Sequence, residues 1–276
     1  MNECVLIDTH AHVQMAEFDA DRADVLQRFR ASGGAWLVAP GVDLTTSERA
    51  GFLAEQEPDV AAAVGVHPED CADAPADYIA QLRQLLTRYR SRTVAIGEIG
   101  LDFKDGTPEH ALQRNAFEQQ LQLARDERLP VIVHSRFAVT ECLDMLAQFP
   151  GQRGVMHCFG GTAAEARRAV DMGLYVSFTG NITYPGSTAA REVVRACPPE
   201  RLLLETDSPY LAPLAVRGKR NEPSYVAYTY QAVGSLLGRD PIDLSQRLER
   251  NARELFNQQE RSEHAREENV QDHAQQ

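Results

Sequence analysis

The sequence predicts a single (β/α)8 TIM barrel of the α/β class, and three observations lead to that fold. Short apolar runs rich in β-branched residues recur along the chain, helix-like stretches separate them, and eight such pairs are found. This alternation implies parallel strands joined by right-handed crossovers, and eight units close into a barrel. A chain of 276 residues is long enough, because such barrels run to about 250 residues as one domain.

The predicted strands and helices alternate in order along the chain. We expect strands near Cys4 to Asp8, Ala35 to Pro40, Val60 to Val66, Thr93 to Glu98, Pro130 to His134, Gly154 to His157, Leu174 to Phe178 and Arg201 to Glu205. We expect helices near Asp19 to Ser32, Leu44 to Glu57, Asp77 to Tyr89, Pro108 to Arg128, Thr140 to Gln148, Ala163 to Met172, Ser187 to Ala196 and Ser224 to Leu237. A further helix near Asp243 to Asn257 is predicted to pack on the outside.

Local chemistry supports several of these boundaries. Asp19 and Thr162 are predicted helix N-caps, Pro108 is predicted in a first turn, and Gly173 is a predicted C-cap. Residues 258–276 have few apolar side chains and are rich in Gln, Glu and His, so we expect a disordered C-terminal tail. The predicted domains are therefore one barrel over residues 1–257 and a tail over 258–276.

Composition and charge limit the class of protein. Hydrophobic residues make up 43% and charged residues 25%, as in ordinary globular chains. No apolar run approaches the roughly 20 residues that span a bilayer, and the first residues lack a signal peptide's basic start. We therefore expect a cytoplasmic protein with no membrane partner. Five scattered cysteines without Cys-x-x-Cys spacing favour reduced thiols over a disulfide framework or a zinc ribbon.

The formal charge of −12 argues against a broad basic surface that wraps duplex nucleic acid. It does not exclude nucleic acid as a substrate. An enzyme that takes one strand end into a pocket needs only a local positive site, and divalent ions supply one.

Histidines and carboxylates fall at the ends of different predicted strands. His10 and His12 follow the first strand with a spacing that puts both side chains on one strand face. Three further histidines and two acidic residues follow other strands, namely His67, Glu98, His134, His157 and Asp207. Active sites of such barrels are built at these strand ends, so the set predicts a metal site there.

The number of candidate ligands exceeds what one four-coordinate ion needs. The six candidates are His10, His12, Glu98, His134, His157 and Asp207. They fit two divalent ions about 3.5 to 4 Å apart, with Glu98 as the natural bridge, and a hydroxide activated by both ions as the nucleophile. Imidazole and carboxylate ligands suit zinc, manganese, iron or magnesium ions, and ligand type does not choose between them. We expect two divalent ions, Mg²⁺ or Mn²⁺, with Zn²⁺ as the alternative.

The chain resembles the TatD family of metal-dependent deoxyribonucleases, within the amidohydrolase-like barrels, through a series of motifs in the family's order. They include Asp8-Thr9-His10-Ala11-His12, Gly97-Glu98-Ile99-Gly100-Leu101-Asp102, His134-Ser135-Arg136, His157-Cys158-Phe159-Gly160-Gly161 and Glu205-Thr206-Asp207-Ser208-Pro209. The resemblance implies that His10, His12, Glu98 and Asp207 hold one metal and that Glu98, His134 and His157 hold the other. It also implies that Asp207 doubles as a proton acceptor, and that His67 and Glu205 line the site as catalytic or hydrogen-bonding residues. Phe137 stands where relatives commonly have an acidic residue.

Several residues near the strand ends are candidates for substrate binding. Arg217 and Lys219, in the basic loop after the last strand, are predicted to clamp phosphate together with Arg136. Tyr210 and Phe103 are candidates for stacking on a base, although aromatic residues at strand ends are more often core.

The main hypothesis is a divalent-metal-dependent phosphodiesterase that acts on DNA as a 3′ to 5′ exonuclease on single-stranded ends, without an obligate protein partner. A second hypothesis keeps the site and changes the substrate to an ester or amide, such as the acyl link of a D-aminoacyl-tRNA. A third is a non-catalytic binding or scaffold role, against which the intact ligand set argues.

Overall fold

Eight parallel strands form one sheet in the computed structural model, which describes residues 4–256. The strands are hydrogen-bonded in sequence order, which confirms the predicted barrel. Their bounds are β1 Leu6–Asp8, β2 Gly34–Pro40, β3 Val60–Val64, β4 Thr93–Asp102, β5 Val131–Arg136, β6 Gly154–Met156, β7 Tyr175–Phe178 and β8 Leu202–Leu204.

Backbone bonds join the last strand to the first at the carboxyl end of the sheet. The amide of Thr9 donates to the carbonyl of Leu204 at 3.3 Å, and the amide of Asp207 donates to the carbonyl of His10 at 2.8 Å. The amide of His12 donates to the carbonyl of Ser208, also at 2.8 Å. This seam places Asp207 beside the two N-terminal histidines.

One helix follows each strand, and a ninth ends the described chain. Their bounds are α1 Arg22–Ala31, α2 Leu44–Gln56, α3 Tyr78–Arg88, α4 His110–Glu127, α5 Val139–Leu146, α6 Ala163–Asp171, α7 Thr188–Ala196, α8 Val226–Leu237 and α9 Pro241–Phe256. No helix within residues 4–256 is long and apolar enough to cross a membrane. The predicted tail at 258–276 lies outside the described residues.

Two predicted helix starts are wrong. Helix α1 begins at Arg22 with Asp21 at its N-cap, while Asp19 ends a short 3-10 turn and pairs with Arg22 and Arg49. Pro108 lies in the loop before α4, which begins at His110. The side-chain amide of Gln113 donates a hydrogen bond to the carbonyl of Pro108 and stabilises this loop.

The other two predicted helix ends are confirmed. Thr162 caps α6 in a reciprocal capping box with Glu165. Gly173 follows α6 with a φ of +86°, a conformation that favours glycine.

The barrel interior has its own apolar core, formed by alternate residues of the strands. Ile7, Val38, Ile132 and Leu203 belong to it, together with Phe256 from α9. Among helical residues this cluster takes only side chains of α9, and Asn251 of α9 binds the carbonyl of Leu202 at the start of β8. Helix α9 therefore closes the amino end of the barrel, and the opposite end remains for the site.

Candidate metal centre

The inward-facing pattern of the strands brings the polar side chains together at the carboxyl end. His134, His157 and Glu205 each lie two residues beyond an interior apolar residue of β5, β6 or β8. Side chains two apart share a strand face, so these three continue the interior row. The structure brings together all six residues predicted to hold metal, and places His67 and Glu205 beside them.

One group of donors consists of His10 Nε2, His12 Nε2, Glu98 Oε2 and Asp207 Oδ1. The distances from the two histidine Nε2 atoms to each other and to the two carboxylate oxygens run from 3.1 Å, between the imidazoles, to 3.7 Å, between His10 and Asp207. A tetrahedral cation with ligand distances of about 2.1 Å would separate its ligands by roughly 3.4 Å. The residues present therefore fit a divalent ion.

The second group surrounds the other oxygen of Glu98. Its Oε1 lies 2.9 Å from His134 Nδ1, 3.0 Å from His157 Nε2 and 3.6 Å from His67 Nε2. Glu98 is almost fully buried and offers one oxygen to each group. This carboxylate is therefore in position to bridge two cations.

For His12, His134 and His157, a hydrogen bond at the far ring nitrogen decides which nitrogen faces the donor groups. His12 Nδ1 is 3.0 Å from the carbonyl of Pro40, and His157 Nδ1 is 3.1 Å from Glu205. His134 Nε2 is 2.9 Å from the carboxylate of Asp102. A ring nitrogen that donates to such an oxygen leaves the other nitrogen's lone pair free for a metal.

In His67 the two ring nitrogens have the opposite roles, because the nitrogen that faces Glu98 carries the proton. Its Nδ1 accepts from the amide of Glu69 at 3.2 Å, so in the neutral ring Nε2 carries the proton. That N–H faces Glu98, which makes His67 a donor at the edge of the site rather than a ligand in this tautomer.

Mutual charge compensation shifts the pKa values of the cluster. Burial opposes ionisation of Glu98, but the facing imidazoles of His157 and His10 outweigh it and hold the Glu98 pKa well below its usual range. Burial likewise opposes charge on His157, yet Glu98 and Glu205 raise its pKa well above that of a free imidazole. Burial lowers the pKa of His67 to about 3, so this ring is neutral at physiological pH.

Two buried carboxylates in the site were not among the predicted site residues. Asp102 orients His134, and the strand prediction missed it because β4 runs four residues past Glu98. Asp8 accepts bonds from the amides of His10 and Thr206 and from the Thr206 hydroxyl, and so fixes the seam between β1 and β8. Both residues stand in motifs that are visible in the sequence. Asp8 begins the motif Asp-x-His-x-His, and Asp102 ends the motif Gly-Glu-Ile-Gly-Leu-Asp.

A cavity of about 1550 Å³ opens over the two groups of donors. Arg136 and Tyr210 line it, in agreement with their predicted place. Arg217 and Lys219 are not among its lining residues, and the Arg217 guanidinium lies over the ring of Tyr184 at 4.8 Å. The predicted phosphate clamp from this basic loop is therefore not assembled at the cavity.

The ring of Phe103 also lines the cavity, but its faces are occupied. His110 stacks on it with ring centroids 3.8 Å apart, and the Arg114 guanidinium lies 5.5 Å from its centroid. This packing leaves no free face for the predicted stacking on a base.

Positive φ angles, which are unfavourable for residues with a side chain, are concentrated at the cavity. Among the described residues other than glycine, five have positive φ angles. Four of these five line the cavity, namely Phe137, Cys158, Asp207 and Leu211. The fifth, Arg128, ends helix α4. Such conformations concentrate at functional sites, where the surrounding structure holds them in place.

Comparisons with known proteins show which family and which fold the chain matches. The family described as TatD related DNase matches residues 7–257. The uncharacterized metal-dependent hydrolase YabD of Bacillus subtilis is 36% identical over 254 residues, covering 91% of this chain and 99% of that protein. The 3′-5′ ssDNA/RNA exonuclease TatD of Cronobacter sakazakii is 36% identical over 260 residues, covering 91% and 97%. The crystal structure of YjjV, a TatD homolog from Escherichia coli, superposes with a TM-score of 0.88 at 33% identity, covering 92% and 98%.

Proposed function

The chain belongs to the TatD family of metal-dependent hydrolases, and on that premise we propose that it removes nucleotides from the 3′ ends of single-stranded DNA. The observation that carries the proposal is the position of Glu98, whose two oxygens each face a separate group of donors. Paired metal sites that share a carboxylate are suited to in-line displacement at phosphorus. The relative named as an ssDNA/RNA exonuclease supports nucleic acid as the substrate.

The proposed ligands follow the two groups of donors. His10, His12, Glu98 and Asp207 would hold one divalent ion, and Glu98, His134 and His157 would hold the other. Ions bound there, Mg²⁺ or Mn²⁺ with Zn²⁺ as the alternative, would supply Lewis acidity toward the phosphoryl oxygens and lower the pKa of water.

The protein's own groups would bind and orient the substrate and move protons. Asp207 faces the cavity, and its pKa stays low because hydrogen bonding to His12 outweighs burial, so the ionised carboxylate can accept a proton from water. The Nε2–H of His67 can donate to a phosphate oxygen. Glu205 stays bound to His157 and the amide of Cys158, and so acts through the orientation of His157.

Substrate contacts are assigned to the two predicted residues that line the cavity. Arg136 has no carboxylate within 4 Å among residues 4–256, so its guanidinium is available for phosphate. Tyr210 is half exposed and meets the ring of His12 edge-on, at a centroid distance of 6.3 Å, beside the first group of donors. The cytoplasmic location and the lack of an obligate protein partner stay predictions.

The proposal is tested with metal-stripped protein and 5′-labelled single-stranded DNA, with Mg²⁺, Mn²⁺ or Zn²⁺ added in turn. We expect metal-dependent shortening from the 3′ end with release of mononucleotides. Glu98→Ala removes an oxygen from both groups of donors and should abolish turnover, whereas Glu118→Ala, an exposed carboxylate on α4, should not.

The proposal is wrong if the protein binds metal and leaves DNA intact with every ion. Release of a free amino acid from a D-aminoacyl-tRNA under the same conditions would then identify the ester-hydrolase alternative.

A further inference from the structure

We propose that Phe137 is a stacking platform for a nucleobase and that, with Arg136, it forms a subsite for a nucleotide adjacent to the scissile phosphate. The inference rests on the proposed function, because it describes how the same site would bind a nucleotide of the single-stranded substrate. It concerns a side chain that stands outside both groups of metal donors.

The exposure of Phe137 is unusual for an aromatic residue. Its side chain is 76% exposed, the largest value among the large hydrophobic residues of the described chain, and it lies on the rim of the cavity. Its backbone has a φ of 54°, a conformation that is unfavourable for a residue with a side chain. Neither burial nor a relaxed backbone accounts for a phenylalanine here, but contact with a ligand would.

The three aromatic side chains of Phe, Tyr or Trp that line the cavity differ in which ring faces are free. Phe103 is covered by His110 on one face and is close to Arg114, as described above. Tyr210 stands with its ring at 70° to that of His12, next to the first group of donors. Phe137 has one close polar neighbour, the Arg136 guanidinium at 5.9 Å from the ring centroid, and has no aromatic ring packed on it among residues 4–256.

Arg136 supplies the charge that a nucleotide subsite needs. Within residues 4–256 two arginines line the cavity, and the side chain of one of them, Arg114, pairs with Glu141. Arg136 makes no such pair within residues 4–256. A guanidinium without a carboxylate partner, lying over one face of a ring whose other face carries no aromatic neighbour within residues 4–256, matches a phosphate beside a base. Single-strand binding sites use this pairing.

The position of Phe137 relative to the metal groups fits a neighbouring nucleotide. Phe137 follows His134 by three residues, a backbone reach of at most about 11 Å. Strands β5 and β8 lie three apart in the ring of eight, so Phe137 and Tyr210 stand on different sides of the donor groups. A strand whose phosphate lies at the metal groups would therefore place one base toward each ring.

The test combines a protein variant with a substrate variant. Steady-state kinetics are measured on single-stranded oligonucleotides that are intact or carry one abasic residue at each of the last three positions. Phe137→Ala should raise KM for the intact strand about 5- to 150-fold, which corresponds to the roughly 1 to 3 kcal/mol per base of stacking on one aromatic ring. Phe137→Tyr keeps a ring and should stay near the wild-type value.

The abasic series locates the contact. In the wild type, one abasic position should raise KM by about the same factor as the Ala substitution. In Phe137→Ala, that same abasic position should cause no further loss, because the two changes remove one interaction. Phe52→Ala is the matched control, since Phe52 is 57% exposed on α2 and does not line the cavity.

The inference is overturned if Phe137→Ala cleaves intact DNA with the wild-type KM, or if its abasic profile equals that of the wild type. Thermal unfolding of each variant shows whether the fold is kept. Wild-type protein that cleaves no DNA with any ion would refute the proposed function itself, and the subsite with it, whereas normal cleavage with an unchanged Phe137→Ala variant refutes the subsite alone.

Discussion

The imidazoles of His134 and His157 each face Glu98 with one ring nitrogen and are oriented by another carboxylate at the other ring nitrogen. Asp102 does this for His134, and Glu205 does it for His157. The buried carboxylate fixes the tautomer and raises the basicity of the ring. The imidazole is therefore already oriented for metal binding in the metal-free protein. Metal affinity should therefore depend on residues that never touch the ion.

Asp102→Ala tests this dependence at a single side chain. Without the acceptor for Nε2, His134 is free to rotate and to place its proton on the nitrogen that faces Glu98. We expect metal affinity and turnover to fall about 10- to 100-fold, which titration calorimetry and the nuclease assay would measure. Asp105→Ala, an exposed carboxylate in the loop after β4, is the control. Equal metal affinity of the two variants would contradict the role of Asp102.

Strand β4 is the element that carries both Glu98 and Asp102, and Gly100 lies between them. Gly100 pairs with His134 of β5 and has a φ of +138°. A Cβ on Gly100 would lie 2.0 Å from the carbonyl oxygen of His134, so no residue with a side chain fits without moving β5. The close approach of the two strands is what sets the distance between Glu98 and His134.

Gly100→Ala should therefore damage both the fold and the site. Gly106→Ala is the matched control, because Gly106 also has a positive φ, of +88°, but has nothing within 4 Å of the added Cβ. The control should lower Tm by only about 2 to 4 °C, through backbone strain of roughly 1 kcal/mol. Gly100→Ala should lower Tm by at least twice as much and abolish metal binding. Similar Tm values for the two variants would show that β5 yields to the clash at little cost.

Sequence periodicity predicted the eight strands and the residues at their ends because strand alternation and the barrel rule together fix which side chains converge. It placed Glu98 at the end of β4 and so missed Asp102, since the strand continues past a glycine that reads as a break. The basic loop at Arg217 was predicted over the site from its position in the chain alone. Tyr184 holds that side chain, a contact between distant residues that no local pattern encodes.

At the scale of the whole molecule, a formal charge of −12 must be reconciled with the proposed polyanionic substrate. The net negative charge of the protein would repel such a substrate, so the attraction has to be local. Divalent ions held by the two groups of donors would meet this need together with Arg136, while acidic residues such as Glu69 and Asp70 line another part of the cavity wall. Burial, together with the charge of Asp43, raises the pKa of Asp70 to about 6, which keeps this wall partly uncharged at mildly acidic pH.

The contribution of the site histidines to the free energy of unfolding should depend on pH in opposite ways with and without metal. Without metal it is largest at low pH, and with metal it is largest at high pH. The pKa values of His12, His134 and His157 are raised in the metal-free protein, because the facing carboxylates outweigh burial. Their protonated rings stabilise the fold fully below the unfolded histidine pKa of about 6.5, and this contribution is lost as pH rises through the folded values. The carboxylates Glu98 and Asp207 have lowered pKa values, so their contribution is lost only as pH falls into the acid range.

Divalent ions need deprotonated imidazoles and would replace the protons as the positive charge of the cluster. The rise in Tm on adding metal should therefore be small at pH 6 and larger at pH 8, where fewer protons compete and binding adds more free energy to the folded state. Differential scanning fluorimetry at fixed metal concentration measures both values, and Glu98→Gln, which weakens both groups of donors, should show little metal-induced rise at either pH. A metal-induced rise that stays constant or shrinks from pH 6 to pH 8 would mean that the ions bind elsewhere than at these histidines.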